Sequence, residues 1–146
     1  MKILVLHGPN LNLFGRREPH IYGKMTLAEI NERLEKLASE LGVTLDIIQS
    51  NHEGELIDFL HRNIDEAQGA LVNPAGLTQH GVPLHDAIKA MPFPTLEVHM
   101  SNIHAREEFR HRSVFVDIVK GQISGFGVDS YLLGLRAVVS ASAAAE

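Results

Sequence analysis

The sequence predicts a single α/β domain in which a parallel β-sheet is covered by helices on both faces. Short apolar runs alternate along the chain with longer segments whose apolar residues recur every three or four positions. The first pattern is typical of strands buried on both faces, and the second is typical of amphipathic helices. Strands that alternate with helices pair in parallel through right-handed crossovers. The length of 146 residues suits one such domain with a continuous core.

The chain opens with a predicted strand and a predicted helix. The run KILVLHG (2–8) is short and continuously apolar, as expected of a strand buried on both faces. Residues 26–41 have helical periodicity, with a stripe of apolar side chains on one face: Leu27, Ile30, Leu34, Leu37, Ala38 and Leu41. Thr26 and Glu29 have the spacing of a capping box, and Gly42 stands where a glycine commonly ends a helix.

A second strand, a second helix and a third strand follow. VTLDIIQ (43–49) predicts the second strand, and GALVN (69–73) predicts the third. Ser50 and Glu53 predict another capping box between them. This box opens a helix whose inner side carries Leu56, Ile57, Leu60 and Ile64.

The second half of the chain continues the alternation. A short helix near 83–91 is ended by Pro92, and TLEVHM (95–100) predicts the fourth strand. GQISGFG (121–127) predicts the fifth strand, and residues 128–139 predict the last helix. Five such units in this length indicate a flavodoxin-like three-layer sandwich with a five-stranded parallel sheet in the order 2-1-3-4-5.

Composition narrows the class of protein. A net charge of −5 disfavours nucleic acid or an anionic membrane as the main partner, and the lack of Cys excludes a thiolate nucleophile. No apolar run approaches the roughly 20 residues of a spanning helix, and the apolar start is too short for a secretion signal. We therefore expect a cytoplasmic protein with one domain (1–146), whose tail at 140–146 is frayed.

Polar loops follow three of the predicted strands. They read HGPNLNLFGRREPHIYG (7–23), NPAGLTQHG (73–81) and HMSNIHAREEFR (99–110). In parallel sheets ligands bind beyond the carboxyl ends of the strands, where the strand order reverses, so these loops are expected to form one site. A metal centre is not expected there, because the nine His are scattered and no His-Glu-x-x-His motif occurs.

Each candidate residue in these loops also has an ordinary structural explanation. Asn10 and Asn73 suit turns, Tyr22 suits a half-buried packing position, and His99 suits a structural histidine. The charged run 106–110 suits a solvated helical face. Their joint occurrence favours a site, because a positive charge stabilises a tyrosinate and a tyrosine near two arginines can then act as a base.

Five stretches of sequence together carry a resemblance to a known family. They are GPNLNLFGRREPHIYG, QSNHEGELIDFLH, NPAGLT, EVHMSNIHAREEFRHRS and GQISGFGVDSYLLGL, and they cover nearly the whole chain. The chain thus resembles the type II 3-dehydroquinate dehydratases of the shikimate and quinate pathways. The resemblance implies a lyase that converts 3-dehydroquinate to 3-dehydroshikimate through an enolate, without metal, cofactor or Schiff base. It also implies a homo-oligomer, most often a dodecamer built as a tetramer of trimers.

The resemblance implies catalytic roles for five residues. Tyr22 is the base, and Arg17 stabilises the tyrosinate and the transition state. Asn10 positions a water at the enolate oxygen. His99 is the acid that protonates the leaving hydroxyl, and Glu97 orients the ring of His99.

Substrate binding is implied for a further set: Asn73, Gln79, Asp86, Met100, Ser101 and Arg110. Asp86 is expected to reach the lid or the substrate of a neighbouring subunit. The sequence departs from the family pattern at two points. Gln79, followed by His80, stands where the family usually has a His, and His85 replaces the usual Arg before Asp86. Either Gln79 or His80 can therefore make the contact that the family makes with its His.

Residues 13–23, which we call the lid segment, resemble a mobile lid that carries both the base and the cation beside it. Gly15 and Gly23 flank this segment as expected hinges.

Two other functions fit the same alternation of strands and helices. A flavodoxin-like binding module would hold a phosphate in HGPNLNLFG, and a bound flavin would colour the purified protein. A Schiff-base dehydratase would use one of the five lysines, Lys2, Lys24, Lys36, Lys89 and Lys120, although none of them ends a strand in an apolar pocket.

Overall fold

The computed structural model describes residues 1–145 and contains one five-stranded sheet. The strands are β1 (Lys2–His7), β2 (Thr44–Gln49), β3 (Gly69–Asn73), β4 (Thr95–His99) and β5 (Gly121–Ser124). Every neighbouring pair is parallel, and the strand order is β2-β1-β3-β4-β5. The predicted fold class and strand order are confirmed.

Helices cover both faces of the sheet. They are α1 (Pro19–Tyr22), α2 (Leu27–Leu41), α3 (Glu53–Arg62), α4 (Val82–Ala90) and α5 (Val128–Ala145). Helices α2 and α5 pack on one face, and α3 and α4 pack on the other. None of the helices within residues 1–145 combines the length and the hydropathy needed to cross a bilayer.

The continuous apolar run of β1 is explained by burial on both faces. Ile3 and Val5 contribute to the core beneath α2 and α5, whereas Leu4 and Leu6 contribute to the core beneath α3 and α4. All four side chains are fully buried. Successive residues of a strand point to opposite faces, so a central strand of a three-layer sandwich has no face left for polar side chains.

Helix α2 begins and ends as the sequence predicts. The hydroxyl of Thr26 accepts a hydrogen bond from the backbone amide of Glu29 and donates one to the Glu29 carboxylate, both at 3.2 Å. Gly42 caps the other end with a φ of 71°, a conformation that glycine adopts without strain.

The capping box predicted from Ser50 and Glu53 is wrong. The hydroxyl of Ser50 instead accepts from the backbone amide of His52 at 2.9 Å and donates to the carboxylate of Glu55 at 2.6 Å. The carboxylate of Glu53 accepts from the backbone amide of Leu84, at 3.1 Å, in the first turn of α4. A tertiary contact between two helices has therefore taken the carboxylate that the local pattern assigned to α3.

The carboxyl ends of α3 and β5 also differ from the prediction. Helix α3 stops before Ile64, which is 36% exposed instead of lying on the inner face of the helix. Strand β5 stops at Ser124, because the chain turns away through Gly125 and Gly127, whose φ values are 99° and 60°.

Helix α5 continues through the tail that was predicted to be frayed. It ends at Ala145 instead of at residue 139. Ser142 is buried against Gly69 of β3, and its hydroxyl donates to the carbonyl of Val138 at 2.7 Å. Alanine has the highest helix propensity, so the alanine-rich end supports the extra turns. The prediction of a frayed tail is wrong for residues 140–145, and Glu146 lies outside the described residues.

Candidate active site

The loops that follow β1, β3 and β4 enclose a cavity at the carboxyl end of the sheet. The cavity has a volume of about 250 Å³ and is lined by residues of all three loops. All of the predicted site residues except Glu97 and Asp86 line it. It lies where the strand order reverses, between β1 and β3, which is the position expected for a ligand site in a parallel sheet.

The loop after β1 is held against the end of β3. The backbone amide of Gly8 donates to the carbonyl of Asn73 at 2.9 Å, and a Cβ at Gly8 would lie 2.6 Å from the carbonyl oxygen of Pro74. Only glycine permits this close approach. Asn10 follows with a φ of 68°, and its backbone amide donates to the side-chain oxygen of Asn51 at 2.9 Å. These contacts fix the backbone that presents the Asn10 side chain to the cavity.

The lid segment brings Tyr22 to the cavity. Gly15 has a φ of 89°, and a Cβ there would lie 3.0 Å from the carbonyl oxygen of Lys24, so the two ends of the segment approach closely. Gly23 has a φ of 81°. The ring of Tyr22 packs against Phe14, with 5.8 Å between the ring centroids. Opening and closing of the lid segment stays a prediction.

Two guanidinium groups flank the ring of Tyr22. The Cζ atom of Arg17 lies 5.0 Å from the ring centroid, and that of Arg106 lies 5.3 Å from it. Positive charge at this distance stabilises a tyrosinate and also attracts the face of a neutral ring. The contact of Arg106 was not predicted, because Arg106 belongs to a charged run that also suits a solvated face. Its side chain is 13% exposed, and it donates to the hydroxyl of Ser101 at 3.3 Å.

His99 and Glu97 form a buried pair at the end of β4. They are two residues apart on one strand and therefore point to the same face. Nε2 of His99 lies 2.5 Å from one carboxylate oxygen of Glu97, and the other oxygen accepts from the hydroxyl of Ser113 at 2.8 Å. Glu97 thus holds the ring with Nε2 turned inward and Nδ1 left for a group in the cavity. The hydrogen bond from Ser113 to Glu97 was not predicted from the sequence.

The cavity is cationic although the chain as a whole is acidic. Arg17, Arg106 and Arg110 line it, and none of its lining side chains is a carboxylate. Glu107 lies outside and accepts from Nε of Arg110 at 2.7 Å. Hydrogen bonds from its own backbone amide and from Arg110 keep the pKa of Glu107 below its ordinary value. The charged run 106–110 therefore turns its arginines inward and its carboxylates outward, which suits a ligand with a carboxylate.

Of Gln79, His80 and Asp86, only Gln79 lines the cavity. Gln79 is half-buried and lines the cavity, and its amide nitrogen lies 3.5 Å from the carbonyl of Arg110. His80 is exposed and does not line it. Asp86 lies on α4 with a side chain that is 71% exposed, and it is bonded to Nδ1 of His85 at 2.9 Å.

A row of polar side chains, three of them buried and Asn31 half-buried, lies beneath the cavity, between the sheet and the helices α2 and α5. We call Asn31, His7, Tyr131 and Asn73 the polar row. The hydroxyl of Tyr131 lies 2.9 Å from Nδ1 of His7 and 2.9 Å from the amide nitrogen of Asn73, and Nε2 of His7 lies 2.8 Å from the oxygen of Asn31. Burial lowers the pKa of His7 from 6.5 to about 4, although the bond to Asn31 opposes this shift, and burial raises the pKa of Tyr131.

The buried His7 is expected to make the free energy of unfolding depend on pH. Above pH 6.5 the ring is neutral in both states, whereas between pH 6.5 and about 4 only the unfolded chain takes up the proton. Stability should therefore fall as the pH falls through this window, by about 3 kcal/mol in total. His7→Gln keeps a donor and an acceptor but does not titrate. Chemical denaturation of both proteins at pH 7.0 and pH 4.5 measures the difference, and identical pH dependence would contradict the expectation.

Known proteins with similar sequences cover nearly the whole chain. Residues 1–139 match the model of a family described as dehydroquinase class II. A protein from Desulforudis audaxviator named 3-dehydroquinate dehydratase is 58% identical over 139 residues, which cover 95% of this chain and 93% of that protein. A protein of the same name from Halothermothrix orenii is 52% identical over 139 residues, covering 95% and 94%.

Solved structures resemble this one over the same extent. A type II dehydroquinase from Butyrivibrio crossotus superposes with a TM-score of 0.93 at 35% identity, covering 95% of this chain and 97% of that chain. A type II dehydroquinase from Propionibacterium acnes superposes with a TM-score of 0.91 at 40% identity, covering 95% and 96%.

Proposed function

The chain belongs to the dehydroquinase class II family, and from that membership we propose that it dehydrates 3-dehydroquinate to 3-dehydroshikimate in the shikimate pathway. The enzyme is a lyase. The observation that carries the assignment to this cavity is that Tyr22, flanked by two guanidiniums, and His99, backed by Glu97, line it together. A base and a separate acid are what the loss of water beside a ketone requires. A cytoplasmic location is part of the proposal and suits a biosynthetic enzyme.

Proton abstraction is the first proposed step. The phenolate of Tyr22 takes the proton next to the ketone and becomes a phenol, and the electron pair of the C–H bond moves to form an enolate. The guanidiniums of Arg17 and Arg106, at 5.0 and 5.3 Å from the ring, favour the phenolate before this transfer. Asn10 holds a water that donates to the enolate oxygen, as in an oxyanion hole.

Loss of the hydroxyl is the second proposed step. As the enolate collapses, the C–O bond breaks and Nδ1 of His99 gives its proton to the leaving oxygen, which departs as water. The N–H at Nε2 of His99 keeps donating to the buried carboxylate of Glu97, which holds the ring in place during the transfer. Tyr22 then loses its proton to solvent and His99 regains one, and the reaction needs no metal or cofactor in this proposal.

Substrate binding falls to the remaining lining residues. Arg110 is proposed to pair with the substrate carboxylate, because guanidinium and carboxylate match in geometry and charge. The substrate hydroxyls are proposed to form hydrogen bonds with Asn73, Gln79, Ser101 and the backbone at Met100, which all line the cavity. Closure of the lid segment would exclude water and strengthen these contacts.

A spectrophotometric assay tests the proposal directly. Addition of 3-dehydroquinate to the purified protein should produce the absorbance of a conjugated enone. No enone at high enzyme concentration would contradict the function. Borohydride added together with substrate should neither inactivate the enzyme nor change its mass, whereas a trapped adduct would favour a Schiff-base lysine.

Gln79 is expected to bind the substrate in place of the family's usual His. Gln79→Ala should raise KM by about 5- to 100-fold, because a substrate hydroxyl would lose its partner. Gln79 lines the cavity and His80 does not, so His80→Ala, the neighbouring control, should leave KM nearly unchanged. The two KM values, measured side by side, decide the point. A large rise confined to His80→Ala would show that the loop contact is displaced by one residue.

A homo-oligomer, built as a dodecamer from four trimers, is also proposed. Support comes from three exposed apolar side chains around a second cavity of about 1260 Å³: Val82, Phe109 and Val116, which are 54%, 63% and 57% exposed. Exposed apolar groups gathered in this way are typical of protein–protein contacts. Asp86 and His85 line the same cavity, so a neighbouring subunit bound here would contact Asp86, as a site shared between subunits requires.

Asp86→Ala is expected to lower activity, and mixing is expected to restore part of it. If each site takes Tyr22 from one subunit and Asp86 from the next, mixed oligomers of Asp86→Ala and Tyr22→Phe contain about one quarter intact sites. Dissociation and reassembly of the two impaired variants together should therefore raise activity above that of either variant reassembled alone. Light scattering gives the size of the assembly. An active monomer, or no recovery in reassembled mixtures, would contradict the shared site.

A further inference from the structure

We propose that His7 and Tyr131 are positioning residues, which hold the side-chain amide of Asn73 so that one of its N–H groups points into the cavity. The polar row is the structural basis of this inference. The inference rests on the proposed function, in which Asn73 binds a hydroxyl of the substrate.

The members of the polar row are held by regular elements of the fold. His7 and Asn73 end the neighbouring strands β1 and β3, and they are directly opposite each other in the strand register. Residues opposite each other in this way point to the same face of a sheet. Tyr131 on α5 and Asn31 on α2 approach from the helices that cover this face. His7 and Tyr131 are fully inaccessible to solvent, so water does not compete for their hydrogen bonds.

Every hydrogen bond of the polar row is donated in the same direction, from Asn73 towards Asn31. His7 is neutral because burial lowers its pKa to about 4. Its N–H lies at Nε2, opposite the oxygen of Asn31, so Nδ1 carries a lone pair and accepts from the hydroxyl of Tyr131. The oxygen of Tyr131 in turn accepts from the amide of Asn73. Each hydrogen bond in such a sequence polarises the next and strengthens it.

The amide of Asn73 consequently has one allowed orientation. Its oxygen accepts from the backbone amide of Ala75 at 3.1 Å, and its nitrogen donates to Tyr131 at 2.9 Å. A flipped amide would set N–H against N–H at Ala75 and leave the backbone amide of Ala75 and the side-chain oxygen of Asn73 without partners. The nitrogen carries a second hydrogen, and Asn73 lines the cavity while being only 4% exposed. That hydrogen is the donor offered to the substrate.

Tyr131→Phe tests the inference because it removes one oxygen and keeps the ring. KM should rise about tenfold, and kcat should change little, since a hydrogen bond to bound substrate is weakened and the reacting groups are untouched. His7→Leu should act in the same way, and His7→Gln, which keeps a donor and an acceptor, should restore most of the affinity. Val138→Ala is the matched control. It shortens another fully buried side chain of α5, so it should lower stability and leave KM unchanged.

A double-mutant cycle separates positioning from general damage. In an Asn73→Ala background, Tyr131→Phe should cause no further rise in KM, because the amide that it positions is gone. An unchanged KM in Tyr131→Phe would overturn the inference. An equal rise of KM in the presence and in the absence of the Asn73 side chain would overturn it as well. In both cases an active wild-type enzyme would still support the proposed function.

Crystal structures of the wild type, Tyr131→Phe and Val138→Ala give a readout that needs no activity. The side chain of Asn73 should leave its wild-type rotamer in Tyr131→Phe and keep it in Val138→Ala. Absence of dehydratase activity in the wild type would overturn the proposed function alone. The rotamer of Asn73 would then decide the positioning by itself, and an unmoved amide in Tyr131→Phe would overturn it.

Discussion

Replacement of Tyr22 by Phe is expected to remove nearly all turnover. Loss of a general base typically lowers the rate by about 10²- to 10⁴-fold, and Phe has no ionisable hydroxyl. The fold should persist, because Phe keeps the ring that packs against Phe14 and between Arg17 and Arg106. Single-turnover kinetics with 3-dehydroquinate measure the loss at the chemical step.

The chain offers a matched control for this change, since Tyr131 is its only other tyrosine. The same removal of one oxygen at Tyr131 is expected to lower affinity, whereas at Tyr22 it should lower turnover. Turnover of Tyr22→Phe within a few-fold of the wild type would show that Tyr22 is a packing residue and that the base lies elsewhere.

His99→Ala is expected to abolish release of the hydroxyl while leaving proton abstraction possible. The predicted loss of turnover is again about 10²- to 10⁴-fold, because the leaving oxygen would depart without a proton. Tyr22 lies on the lid segment and is unaffected, so the variant should still exchange the hydrogen beside the ketone with solvent. Incorporation of deuterium into recovered substrate in heavy water measures this exchange.

Glu97→Gln is a graded companion to that experiment. It keeps a hydrogen-bond acceptor opposite Nε2 of His99 but removes the negative charge, so turnover should fall less than in His99→Ala. Full activity of His99→Ala would refute its assignment as the acid. Loss of both turnover and exchange would connect His99 with the abstraction step instead.

The strand order and the main helices could be predicted because they depend on periodic burial. The continuous apolar run of β1 and the single apolar stripe of α2 are direct consequences of where each element lies in a three-layer sandwich. The cavity could be placed for a similar reason, since polar loops after parallel strands meet at one edge of the sheet.

The features that were predicted wrongly or not predicted from the sequence are contacts between distant segments of the chain. Glu53 binds an amide of α4, and no local pattern near Ser50 indicates that partner. Arg106 is separated from Tyr22 by most of the chain, so its place at the ring depends on how the loop after β4 folds back over the lid segment. The family resemblance supplied roles for Tyr22 and His99, but the spacing of residues alone does not reveal these neighbours.

The packing of Ser142 against Gly69 has a practical consequence for handling the enzyme. Gly69 begins β3, so the end of α5 lies at the amino edge of the sheet, as does Met1, whose carbonyl accepts from the backbone amide of Thr44 at the start of β2. The cavity opens at the opposite edge. We therefore expect an affinity tag, a fluorophore or a covalent link to a solid support to be tolerated at either terminus, with the mouth of the cavity left free for substrate.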